Sequence, residues 1–124
     1  MRRDRQRLQD ILEALDSVVK MTGGYSEAGF VANETLCYAV AHRLTVVGEA
    51  AARLSAEIKG RYPAVPWPDI VGLRNILVHE YFGIHWPLVF QTATDDVPGL
   101  RSAVASMIAV DFPKVGESPG GGNR

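Results

Sequence analysis

Apolar residues recur at intervals of three and four along most of this chain, and this spacing constrains the fold more than any other feature of the sequence. On a helix of 3.6 residues per turn, such intervals place side chains on one face. Little in the sequence suggests a β-strand, so the pattern predicts an all-α domain. The first apolar stripe contains Leu8, Ile11, Leu12, Leu15, Val18 and Val19; the second, here called the seam, contains Val40, Leu44, Val47, Ala51, Leu54 and Ile58.

Glycine, proline and capping residues divide the chain into helical segments. Gly23-Gly24 should stop the first helix, and Ser26 can cap the next one. Pro68 suits the first turn of a third helix. The predicted helices after the first cover about 27–60, with a possible break near residue 33, and then about 68–79, 86–95 and 98–110.

An unbroken helix over 27–60 would be about 50 Å long at 1.5 Å per residue. A compact domain of this size should be only about 35 Å across. Part of the seam would then project beyond its own bundle, and a two-fold dimer would cover it.

Charge and composition limit the classes of protein to which the chain can belong. At 124 residues, 47% hydrophobic and 22% charged, it should form one globular domain over residues 1–112, with a disordered tail over 113–124. A net charge of −1 argues against a general nucleic-acid coat, because such binding needs many cation–phosphate contacts. The only basic cluster comprises Arg2, Arg3, Arg5 and Arg7, and it is more typical of a solvated helix start than of a binding arm.

Cysteine usage and hydropathy indicate the compartment. Cys37 is the only cysteine, which rules out an internal disulfide and favours a reducing cytoplasm. No stretch approaches the roughly 20 apolar residues of a membrane span. We therefore expect a cytoplasmic protein.

The segment Arg74-Asn75-Ile76-Leu77-Val78-His79-Glu80-Tyr81 contains the candidate chemistry. Arg74 is a permanent cation that can bind two phosphate oxygens, and His79 belongs to the residue type that titrates near neutral pH. RNA contains its own nucleophile, the 2′-OH, so these two groups could cleave it without a metal. His79 and His85 with Glu80 fit no common ligand spacing, and we expect no metal and no cofactor.

Helical geometry separates the two candidate catalytic residues. Five residues at about 100° each place Arg74 and His79 about 140° apart, whereas Asn75 and His79 share a face. The helix must therefore bend or end near His79, or Arg74 must reach around it. Asn75 is expected to orient His79 or a phosphate, and Glu49, inside the apolar seam, is a candidate ion-pair partner for Arg74.

Spacing alone leaves other interpretations open. His79 could be only a polar residue at a helix end, and Asn75 could be a capping or bridging residue. Tyr81 could be a half-buried packing residue. Glu49 could instead be exposed on the far side of its helix.

The chain nevertheless resembles the HepT-like family of HEPN proteins. The resemblance covers roughly residues 5–110 and includes residues 8–20 (LQDILEALDSVVK), 46–51 (VVGEAA), 62–67 (YPAVPW) and the Arg74-x4-His79 motif. It implies an antiparallel bundle of four to five helices that dimerises, with an active site between two protomers.

The same resemblance implies a function. The chain would be the metal-independent endoribonuclease toxin of a type VII toxin–antitoxin pair, with Arg74 and His79 catalytic and Asn75 and Glu49 supporting. Its MntA-like nucleotidyltransferase antitoxin would silence it by adenylylating Tyr81. The alternative is a HEPN subunit without cleavage activity, which would provide dimerisation and substrate binding in a nucleotidyltransferase complex.

Overall fold

The computed structural model describes residues 2–113, apart from the side chains of Arg2 and Tyr81. Every regular element in this range is helical, which confirms the all-α prediction. A 3₁₀ turn (Tyr81–Gly83) follows α5, and a π turn (Thr92–Asp96) joins α6 to α7. The predicted tail, except for Pro113, lies outside the described residues. The helices are α1 (Arg2–Thr22), α2 (Glu27–Val31), α3 (Glu34–Ala52), α4 (Ala56–Arg61), α5 (Trp67–His79), α6 (Trp86–Gln91) and α7 (Val97–Asp111).

Of the four long helices, α1 and α3 pack against each other at the centre of the bundle. On the outer sides, α5 packs on α3 and α7 packs on α1. Of the predicted stripe on α1, Val19 does not belong to the core, since 38% of its surface is exposed. The fully buried residues of that stripe are Leu8, Ile11, Leu15 and Val18.

The seam is already covered within one chain. All six of its residues are buried against the chain's own helices. The prediction that a second copy is needed to cover the seam is therefore wrong.

Two breaks explain why the seam does not project. Asn33 caps α3 by accepting a 3.1 Å hydrogen bond from the Leu36 N–H, at the place where a break was foreseen. A second break, not foreseen, separates Ala52 from Ala56, and Ser55 caps α4 by accepting from the Ile58 N–H at 3.2 Å. With 19 residues, α3 is about 28 Å long and fits within the domain.

The first two helix signals in the sequence are confirmed. Gly24 ends the turn after α1 at φ +85°, in the left-handed region that glycine adopts without strain. Ser26 caps α2 by accepting a 3.0 Å hydrogen bond from the Gly29 N–H.

The C-terminal part differs from the prediction of separate helices at 86–95 and 98–110. Helices α6 and α7 form one continuous helical rod with the π turn inside it. Proline lacks an N–H and its ring crowds the carbonyl four residues earlier, so an ordinary α turn would conflict with Pro98. The wider π turn ends two residues before Pro98 and contains Thr94, whose carbonyl the ring would otherwise crowd, so it makes room for the ring.

The bundle is open between α5 and α7, which have little contact with each other in the described part of the chain. A cavity of about 630 Å³ lies between them, and Leu15, Leu44 and Val47 from the core contribute to its lining. Within residues 2–113, no helix is long and apolar enough to cross a membrane.

Candidate active site at the end of helix α5

Helix α5 contains most of the motif and begins within one residue of the predicted position. Its first turn contains Pro68, and Trp67 fixes its start by donating a 3.1 Å hydrogen bond from Nε1 to the Tyr62 carbonyl. Trp67 and Leu77 are its two buried residues. These two residues anchor the helix in the core at its start and near its end, whereas His79, its last residue, is exposed.

The helix ends at His79, which is one of the alternatives that the sequence left open; because Arg74 and His79 both belong to α5, its end does not by itself bring the two side chains together. Glu80 leaves helical geometry at φ −115° and ψ 42°, and the 3₁₀ turn Tyr81–Gly83 begins directly after it. His79 is exposed at this end. An imidazole in this position can meet a substrate from solvent without any opening of the core.

Arg74 lies between the surface and the α3–α5 interface, with 22% of its side chain exposed. Its Nε atom is buried and has no hydrogen-bond partner within the described part of the chain. The Nε atom lies 3.6 Å from Oε2 of Glu49, so the expected ion pair is present, although the two atoms are too far apart for a hydrogen bond. Because the Glu49 carboxylate is half-exposed, solvent screens the pair and its contribution to stability is small.

Asn75 contacts Arg74, its neighbour in sequence. Its Oδ1 accepts a 2.7 Å hydrogen bond from Nη1 of Arg74. Among the described side chains, no hydrogen bond joins Asn75 to His79, so the structure does not show the orienting contact that was expected between them. Asn75 and Glu49 instead contact the same guanidinium from two sides.

Gly48 lies buried opposite Arg74, where α3 crosses α5. A Cβ atom added at Gly48 would lie 2.2 Å from Cβ of Arg74 and 2.9 Å from its Cγ. In the sequence, Gly48 belongs to one of the blocks that carry the family resemblance, but no role at the site was predicted for it. A glycine beside a candidate site residue in an otherwise regular helix is the signal that could have identified it.

Large apolar side chains are exposed around the motif. Ile76 and Val78 are half-exposed on α5, and Phe82 in the 3₁₀ turn is 99% exposed. These residues were not predicted to have a role; Ile76 and Val78 precede His79 and Glu80, and Phe82 follows them. Exposed large apolar side chains close together in sequence are candidates for a contact surface.

Two other predicted features lie apart from this arrangement or beyond what is described. Arg7, from the N-terminal basic cluster, donates a 2.9 Å hydrogen bond to the Arg53 carbonyl at the end of α3, which is a structural contact. The side chain of Tyr81, the predicted adenylylation site, lies outside the described residues; only its backbone position in the 3₁₀ turn is known.

Comparisons with known proteins agree with the motif. The family model described as Ribonuclease HepT-like matches residues 11–107. A provisionally named RNase of Methanocaldococcus jannaschii is 38% identical over 97 residues, which is 78% of this chain and 89% of that protein. A provisionally named RNase of Caldanaerobacter subterraneus is 31% identical over 108 residues, covering 87% of this chain and 96% of the relative.

A third relative has a more specific name. The probable ribonuclease HepT of Thermococcus cleftensis is 29% identical over 94 residues, covering 76% of this chain and 86% of that protein. No solved structure matches the chain. Because the family model covers most of the sequence and relatives above 30% identity align along nearly their whole length, the chain belongs to the Ribonuclease HepT-like family.

Proposed function

We propose that this chain is a metal-independent endoribonuclease in which Arg74 and His79 act on the scissile phosphodiester. The observation that carries the proposal is that the C-terminal half of α5 holds both a partly buried guanidinium, which Glu49 and Asn75 contact, and an exposed imidazole. The names of the relatives, which describe RNases, support the same activity.

In the proposed reaction, a histidine removes the proton from the 2′-OH, and the 2′ oxygen attacks the adjacent phosphorus. The bond between phosphorus and the 5′ oxygen breaks, the leaving oxygen takes up a proton, and the products are a 2′,3′-cyclic phosphate and a 5′-OH. General acid–base catalysis of this kind contributes roughly 10²–10⁴ in rate. Arg74 would stabilise the charge that develops on the phosphate oxygens.

One imidazole per protomer can serve as base or acid but not as both in the same step. We therefore propose that two protomers form one cleft, each contributing its Arg74 and His79. The exposed Ile76, Val78 and Phe82 provide apolar contact area beside the motif. Light scattering at micromolar concentration should give twice the chain mass of 13.5 kDa, and a mass of one chain would contradict the shared cleft.

We further propose that the ribonuclease is the toxin of a toxin–antitoxin pair and that its nucleotidyltransferase antitoxin adenylylates Tyr81. Each added nucleotide unit would bring a phosphodiester whose negative charge can pair with Arg74. Its base would also block access to the cleft. The family membership supports this part of the proposal. Mass spectrometry of the protein after co-expression with its nucleotidyltransferase tests it.

The second candidate is a HEPN subunit without cleavage activity that binds a nucleotidyltransferase. The exposed apolar residues beside the motif favour it, because a protein-binding surface needs them whether or not RNA is cut. RNA cleavage in the presence of EDTA separates the two candidates. Cleavage by the wild type, lost on substitution of His79, supports the nuclease, and no cleavage by any form supports the binding subunit.

A further inference from the structure

Helices α3 and α5 approach so closely at Gly48 that no other residue fits there without a change in the backbone. A Cβ atom on residue 48 would be 2.2 Å from Cβ of Arg74 and 3.2 Å from the carbonyl oxygen of Ile70. Cβ atoms in proteins essentially never come within 3.0 Å of such neighbours. Gly48 therefore sets how near α5 can lie to α3.

A change of rotamer cannot relieve this contact. The Cβ of Arg74 is bonded directly to the backbone of α5, and the Ile70 oxygen is itself a backbone atom. To reach ordinary contact, the distance between the two Cβ atoms would have to grow from 2.2 Å to at least 3.4 Å. An alanine at position 48 must consequently move one helix relative to the other.

The same stretch of α3 also contacts the far end of the arginine side chain. Glu49, the next residue, has its Oε2 atom 3.6 Å from the buried Nε of Arg74. The glycine thus meets the beginning of the side chain and the glutamate meets its guanidinium. Both the start of the arginine side chain and its guanidinium therefore lie against the same stretch of α3.

We propose that Gly48 is a positioning residue for Arg74: the absence of its side chain lets α5 lie at the depth from which the guanidinium reaches both Glu49 and the substrate phosphate. The part that concerns RNA cleavage rests on the proposed function. A displacement of about 1 Å at a reacting group can lower a rate about 100-fold.

The first test observes Arg74 directly and needs no activity. The Nε–H proton of Arg74, assigned by its loss in Arg74→Lys, should exchange slowly with water in the wild type because Nε is buried. In Gly48→Ala this proton should exchange faster and its ¹⁵N shift should change. Gly72→Ala is the matched control, since Gly72 is a glycine of α5 at which an added Cβ meets nothing within 4 Å.

The second test measures cleavage by the folded variants. Gly48→Ala should lower kcat about 100-fold, whereas Gly72→Ala should keep the wild-type kcat. In an Arg74→Ala background, adding Gly48→Ala should change kcat by less than about threefold, because the group it misplaces is already gone. A merely structural role would lower stability and leave the kcat of the folded fraction unchanged.

The outcomes separate this proposal from the proposed function. If the wild type does not cleave RNA, the nuclease proposal fails, and the exchange experiment still decides whether Gly48 positions Arg74. Unchanged exchange and unchanged kcat in folded Gly48→Ala overturn the positioning role. If Gly48→Ala does not fold, adding Arg74→Gly, which removes the 2.2 Å contact, should restore folding; failure to restore it also overturns the proposal.

Discussion

Ser55 donates two hydrogen bonds to the carboxylate of Asp4, which lies 51 residues earlier in the chain: one from its backbone N–H at 2.9 Å and one from its hydroxyl at 2.6 Å. The same hydroxyl oxygen accepts from the Ile58 N–H and so caps α4. Asp4, only 2% exposed, therefore fixes the start of α4 to the first turn of α1.

This contact makes stability depend on acid pH. Burial alone would raise the pKa of Asp4, but the two hydrogen bonds from Ser55, helped by the charges of the N-terminus and Arg7, leave its pKa below the usual value. A carboxylate with a lowered folded-state pKa adds stability above its unfolded pKa, and this stability is lost as the pH falls through the folded pKa. Urea denaturation should show wild-type stability decreasing below about pH 4.

Removing the carboxylate tests the same relationship. Asp4→Ala should lower the free energy of unfolding by about 1–3 kcal/mol at pH 7, because it leaves the two partly buried donors of Ser55 without an acceptor. The difference in unfolding free energy between Asp4→Ala and the wild type should become smaller as the pH falls towards the folded-state pKa of Asp4. Asp10→Asn is the control on the same helix, since Asp10 accepts only an exposed 3.0 Å hydrogen bond from Gln6 among the described residues, and it should stay within about 0.5 kcal/mol. Equal effects of the two substitutions would contradict the assigned role of Asp4.

Loss of either proposed catalytic group should abolish most RNA cleavage. Arg74→Ala and His79→Ala should each cost at least about 3 kcal/mol in transition-state stabilisation, or roughly 100-fold in rate, measured with EDTA present. Arg74→Lys should recover only part of the activity, because an ammonium lacks the planar fork of the guanidinium. His42→Ala, at an exposed histidine of α3 outside the motif, should cleave like the wild type. Full activity of His79→Ala would refute the mechanism.

Asn75 should matter through Arg74 rather than through His79. Asn75→Ala removes the 2.7 Å acceptor of Nη1 and should reduce kcat/KM about tenfold, since one oriented hydrogen bond to a charged group contributes about 1.5 kcal/mol. Asn75→Asp keeps an acceptor but adds a charge that competes with phosphate, so KM should rise further. Because Asn75 is exposed, urea denaturation should find both variants about as stable as the wild type. If KM is the same in both variants, the proposed competition does not occur.

Tyr81→Phe should separate cleavage from control by the antitoxin. The proposed chemistry does not use the phenol, so the variant should keep most of its activity, while the missing hydroxyl prevents adenylylation at this position. Mass spectrometry after co-expression with the cognate nucleotidyltransferase should show adenylyl increments on the wild-type peptide containing Tyr81 and none on that of the variant. Increments at another residue would show that the tyrosine was misassigned.

Signals that act over a few residues can be read correctly from the sequence. Ser26 caps through a residue three positions away, Gly24 adopts its own left-handed turn, and α5 begins beside Pro68. The break before Ser55 could not be predicted in this way, because its stabilising partner, Asp4, lies 51 residues away. The π turn was not predicted because a proline such as Pro98 commonly starts a helix. Here Pro98 lies inside a continuous helical rod, which widens into the π turn before it.

The site shows the same division between local and tertiary information. The end of α5 at His79 agrees with the helix predicted over about 68–79, and the pairing of Arg74 with Glu49 was expected from the cost of burying a charge. The partner of Asn75 was not foreseen, because position on a helix face does not reveal which neighbour a side chain selects. The role of Gly48 depends on the distance between two helices, and only the assembled bundle determines that distance.

The gap between α5 and α7 means that the motif-bearing helix is supported mainly from one side. Among the described helices, α3 is its principal neighbour, whereas α7 packs on α1. A cavity made in the interior of α7, for example by Met107→Ala, should therefore lower the unfolding temperature while the remaining folded molecules cut RNA at the normal rate. A comparable substitution on α3 would displace Arg74 directly. Substitutions on α7 should therefore change mainly the stability of the protein, and substitutions on α3 should also change the geometry of the proposed site.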